Sequence, residues 1–175
     1  MDFSLRPHQL VAHWTPGFVL LGILGLTDLS GFRNILVTHP TVCHYLETNQ
    51  AITLLAIAVA GFVIGEFLDT IRDLIDRAID DGNLKCLDWI PKVDWKFLVK
   101  GEDSKVQRTD DYYFIYYVFQ MNLVWVLVIG GPRLWVASHF SFAVLIGTIV
   151  VVAILFGDAV FLRKDMADIW PKPRK

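Results

Sequence analysis

Residues 140–162 read "FSFAVLIGTIVVVAILFGDAVFL", and no other stretch restricts the possible folds as tightly. The run holds a single ionisable group, Asp158. As an α-helix it would extend about 34 Å, enough to cross a hydrocarbon core roughly 30 Å thick. Lipid offers the backbone no hydrogen-bond partners, so a spanning segment must satisfy its own peptide groups, as a helix does. Three more apolar segments lie at about residues 14–29, 51–67 and 112–131, the first shorter and interrupted by Pro16. Of the 175 residues, 54% are hydrophobic, well above the level of an ordinary soluble domain. These features predict an all-α membrane protein, a single four-helix transmembrane bundle over residues 1–175. The start, "MDFSLRPHQLVAHW", has neither the basic n-region nor the cleavage site of a secretory signal, so it is expected to be retained.

The basic residues orient the bundle. With four spans, fourteen of the sixteen Lys and Arg fall on one side, leaving Arg33 and Arg133 on the other. The positive-inside rule then predicts an inner-membrane protein with both termini cytoplasmic, a cytoplasmic loop at 66–111 and a basic cytoplasmic tail at 163–175. Cys43 and Cys86 fall on opposite sides and cannot pair within one chain. The mixture of Trp89, Trp95 and Phe97 with lysines suits a lipid headgroup layer, with a short hairpin near residues 93–103 and Asp110 and Asp111 capping span three.

Span two runs into the loop without an interrupting Gly or Pro between Gly65 and Gly82. At 100° per residue, Glu66, Asp69, Asp73, Asp76 and Asp80 share one arc, with Phe67, Ile71, Leu74, Ile75 and Ala78 opposite. The aqueous reading of this pattern is a helix projecting from the bilayer, its apolar side covered and its acids solvated. The acids would then meet a cation or a basic cytoplasmic partner, and the tail, net positive, could lie against them. Gly61 and Gly65 form G-x-x-x-G, a close-packing surface. Together with Ile71, Leu74, Ile75 and Ala78 they are the expected homo-oligomer interface.

Gln120, Asn122 and Asp158 lie inside apolar segments, where polar groups face the bundle or a water path. Two readings remain open for them, a polar path and interhelical hydrogen bonds. His39, Cys43, His44 and His139 share the outer side but lack the spacing of a known metal site. Arg133 and His139 have the loose R-x(4–6)-H spacing of HEPN ribonucleases, on the side away from RNA. No metal site, cofactor, catalytic residue or direct nucleic-acid contact is expected; the expected partners are membrane lipids, further copies of the chain and a basic cytoplasmic protein.

Gly65, Asp69 and Asp73 give G-x-x-x-D-x-x-x-D, which resembles the second half of the CDP-alcohol phosphotransferase signature. That resemblance implies a divalent-metal lipid head-group enzyme at the cytoplasmic face. The first half, D-G-x-x-A-R, should lie just upstream, where residues 51–56 read "AITLLA". In size and layout the chain is similar to membrane subunits of bacterial antiphage systems such as the Kiwa membrane protein. That similarity implies a small oligomeric channel, sensor or membrane anchor for cytoplasmic partners.

Overall fold

The computed structural model describes residues 7–28, 41, 44, 48–93 and 113–169. The described residues are almost wholly helical: α1 (Pro7–Thr27), α2 (Gln50–Asp80), α3 (Ile115–Ala137) and α4 (Phe142–Ile169), with a short 3-10 turn at Lys85–Leu87. Three of these, α2, α3 and α4, are long and apolar enough to cross a membrane. In α1 the apolar part is shorter, Trp14–Thr27. The expected hairpin near 93–103, apart from Val93, the capping aspartates Asp110 and Asp111, and His39 and Cys43 lie outside the described residues.

Contacts between the helices fix an up-down-up-down order. Asp28, just past α1, pairs with Arg133 near the end of α3 at 3.7 Å. At the opposite end, Arg163 late in α4 meets Asp76 late in α2 and Tyr117 early in α3. The start of α1, the end of α2, the start of α3 and the end of α4 therefore share one end of the bundle, called the polar end below.

α1 and α2 touch through backbone. A Cβ added at Gly17 would stand 1.9 Å from the Gly61 carbonyl oxygen and 2.7 Å from the Gly65 nitrogen. A Cβ added at Gly61 would strike the Phe18 ring at 2.6 Å. The G-x-x-x-G surface expected to join subunits is thus occupied inside the chain by α1, because Gly17 supplies a third small residue to complete the contact. Leu20 and Ile23 of α1 pack with Leu68 of α2 and Val126 of α3 in the inner core.

Helix α2 stops where expected. Gly82 takes φ +73°, the Asn83 N–H donates to the Ala78 carbonyl at 2.9 Å, and the Gly82 N–H donates to that of Ile79 at 3.0 Å. This pair of bonds is the Schellman arrangement that favours glycine at the left-handed position. Two boundaries differ from the sequence reading. α3 runs through Gly131 and Pro132 to Ala137, since a proline one turn from the end disturbs only the ladder beneath it. α4 continues to Ile169, so Arg163 through Asp168 belong to the helix and not to a free tail. Between α3 and α4 the chain reverses at His139 and Phe140, both left-handed, with Phe140 set edge-on against Trp135.

Candidate functional site

The acids of α2 converge with two arginines at the polar end. Arg163 is 1% exposed, a very rare burial for a guanidinium. Its Nη1 donates to Asp76 Oδ1 at 2.8 Å and to the Tyr117 hydroxyl at 2.9 Å. Its Nη2 donates to Asp80 Oδ1, and its Nε to the Pro91 carbonyl at 2.7 Å. Tyr117 in turn donates its hydroxyl proton to Asp76 Oδ1 at 2.5 Å. Asp80 also accepts the Val93 N–H at 3.0 Å, which draws the segment after α2 onto the bundle. Ile90 and Val93 are buried there, and Val93 packs with Tyr117, Met121, Ala159 and Met166. One guanidinium therefore ties together α2, α3, α4 and the residue 90–93 segment.

A second group lies deeper, toward the middle of α2. Arg72 donates from Nη1 to Asp69 at 2.5 Å and from Nη2 and Nε to Asp73 at 2.7 and 3.2 Å. Asn122 of α3 donates from Nδ2 to the same Asp69 oxygen at 2.7 Å. Asn122 is 0% exposed, and its Oδ1 is without a hydrogen-bond partner among the described residues. Charge-assisted bonds of this kind are the strong ones, and a buried carboxylate needs them to remain in place.

This arrangement corrects the solvated acidic strip. Asp69, Asp76 and Asp80 are buried, and only Glu66 and Asp73 of the five remain exposed. Leu74, placed on the expected covered side, is 62% exposed, while Ile71, Ile75 and Ala78 are half-buried. The helix is turned by the polar groups it meets: Arg163, Tyr117 and Asn122 all approach from the acidic side. An outward apolar face costs little where lipid replaces water, so the usual aqueous sense of amphipathicity reverses. The expected attraction between the basic C-terminal segment and the acids is realised by Arg163.

The remaining candidates separate from this site. Gln120 Nε2 donates to Asp158 Oδ2 across the α3–α4 seam, so both amides, Gln120 and Asn122, make interhelical bonds. Arg133 and His139 are exposed at the opposite end of the bundle, with Arg133 beside Asp28. Cys86 is a free, exposed thiol. Among the described residues no group of three or more His, Cys, Asp or Glu is arranged to hold a metal ion.

Sequence reasoning missed Arg163 and Tyr117 as members of the site. Arg163 read as the first residue of a basic tail, and Tyr117 as one more residue of the apolar segment at 112–131. The available signal was a lone Arg two helical turns from the end of α4, five residues beyond Asp158, facing a span that carries five acids. Neither a family model, a curated protein nor a solved structure matches this chain.

Proposed function

We propose that the protein is a non-enzymatic, self-associating membrane component that anchors cytoplasmic partners at a rigid polar end. The observation that carries this reading is the capture of the α2 acids by the chain's own cations. Asp69 and Asp73 are the two positions that match the phosphotransferase signature, and Arg72 bonds both. A divalent ion at that point would have to displace a guanidinium already held by three hydrogen bonds. The lipid head-group enzyme is therefore the weaker alternative. Anchoring is preferred to conduction within one chain, because Gly17, Gly61 and Gly65 bring α1 and α2 into backbone contact and Leu20, Ile23, Leu68 and Val126 fill the space beside them. The α1 helix is taken as a fourth, tilted span, and the 14-to-2 distribution of Lys and Arg supports a cytoplasmic polar end.

The test is calorimetric titration of the purified protein with Mg²⁺ and Mn²⁺. No stoichiometric binding is expected. One-to-one binding that disappears in the combined Asp69→Asn, Asp73→Asn variant would favour the lipid enzyme.

A further inference from the structure

Phe156 and Arg163 stand two turns apart on one stripe of α4, and the chain after α2 runs along that stripe. The Pro91 carbonyl accepts from Arg163 Nε at 2.7 Å. Two residues earlier, the Trp89 ring meets Phe156 edge-on, with centroids 6.3 Å apart. The two contacts are about 10 Å apart along α4 at 1.5 Å per residue. Between them lies Ala159, buried in one cluster with Val93, and its small side chain lets the segment approach. The segment therefore turns back from the polar end and descends the bundle, and Trp89 is 62% exposed at that depth. Two observations identify the medium around the ring. The exposed side chains of α4 from Phe142 to Ile154 are all apolar, and Asp158, two residues above Phe156, is the first exposed charge beyond them. The backbone of the segment is also fitted to a membrane edge, where irregular chain must satisfy its own polar groups. The N–H groups of Leu87, Asp88 and Ile90 donate to the carbonyls of Leu84, Lys85 and Leu87 at 2.9, 3.4 and 2.9 Å. Pro91 has no N–H, and that of Val93 is taken by Asp80. Lys92 and Asp88 pair at 3.1 Å, which neutralises two charges near the ring.

We propose that residues 84–93 form a re-entrant membrane anchor, with the Trp89 ring inserted among phospholipid acyl chains at the polar-end edge of the hydrocarbon. The partner is the bilayer itself. An indole suits that edge, since its ring is apolar and its N–H can donate to lipid oxygens above it. The inference rests on the membrane reading above. It takes Trp89 below the headgroup layer expected from the sequence and ties it to the clasp, because Trp89 stands two residues from the carbonyl that Arg163 holds. Lipid and Arg163 thus hold the same short segment, one from below and one from within the fold.

The experiment uses the full chain in vesicles of phosphatidylethanolamine and phosphatidylglycerol. Nitroxide labels are placed one at a time: at Trp89→Cys and at Ile149→Cys, each with Cys43→Ser and Cys86→Ser, and at the native Cys86 with Cys43→Ser alone. Spin-relaxation measurements compare access of oxygen, which enters lipid, with access of a water-soluble nickel chelate. The label at 89 is expected to favour oxygen, as the label at 149 does, and the label at Cys86 to favour nickel. A label at 89 that favours nickel while 149 favours oxygen overturns the anchor, leaves the span standing and gives the Trp89 surface to water or a cytoplasmic protein. Nickel access at 149 overturns both the span and the anchor. Unlabelled protein supplies a second measurement. The emission lost in Trp89→Phe is expected to be emission that brominated acyl chains quench, and a lost component indifferent to bromine overturns the anchor.

Discussion

Arg163 of α4 lies 2.8 Å from Asp76 of α2, and the Tyr117 hydroxyl bonds both partners. Eighty-seven residues separate the two charges in sequence. Their meeting closes the polar end of the bundle, because α4 otherwise packs mainly along α3 and leaves most of its apolar surface outside the fold. A buried ion pair is not stabilising by itself, since desolvation offsets much of the attraction. What it provides here is a unique register. α4 cannot slide or rotate against α2 without stranding two carboxylates.

Tyr117→Phe removes the hydroxyl that bridges Asp76 and Arg163 and leaves the ring packed against Val93 and Met166. The expected loss is about 1–3 kcal/mol, the usual cost of unsatisfied buried partners. Thermal unfolding in detergent measures it. A loss below about 0.5 kcal/mol would mean that the hydroxyl is not held between the two charges.

Gly17 and Gly22 lie on the same helix and should respond oppositely to alanine. At Gly17 the new Cβ would stand 1.9 Å from the Gly61 oxygen, which forces α1 off α2. At Gly22 it would meet nothing within 4 Å. Gly17→Ala is expected to cost several times more stability than Gly22→Ala, and Gly22→Ala to be neutral or mildly stabilising through helix propensity. Proteolytic release of α1 from solubilised protein distinguishes them. Gly61→Ile is likewise expected to loosen α1 within the chain, whatever its effect on assembly.

Much of this was legible in the sequence. The apolar runs marked the helices, Gly82 marked the end of α2, and the small residues at Gly61 and Gly65 marked a backbone contact. The 3.6-residue period also collected the acids on one side of α2. It could not say which side faces inward, because that depends on the medium outside and on partners distant in sequence. In water Leu74 would be buried and Asp76 exposed. With Arg163 arriving from α4, the order inverts, and Asp76 is 5% exposed. Interhelical bonding was one of the two readings open for Asn122 and Gln120, since polar groups in an apolar span have few options. Their acceptors, Asp69 and Asp158, were not readable, since pairing across helices depends on rotation and tilt that spacing does not encode.

The alternation of the four helices carries a topological expectation. With Cys43→Ser, the native Cys86 at the polar end and a cysteine introduced at Ser141, in the α3–α4 turn, should label from opposite sides of the membrane. Cys86 is expected to react from the cytoplasmic side, where fourteen of sixteen Lys and Arg are counted. Labelling of both from one side would remove either a span or the orientation.

The most direct test of the central claim, that the acids of α2 are held by the chain's own cations, is a double-mutant cycle on Arg163→Leu and Asp76→Leu. Each single change strands charges in the fold and is expected to cost about 3–5 kcal/mol in reversible unfolding. The double variant should be clearly more stable than the sum predicts, with a coupling of about 2 kcal/mol or more. Additive losses, with coupling near zero, would contradict the clasp and return the aspartates to solvent or to another ligand.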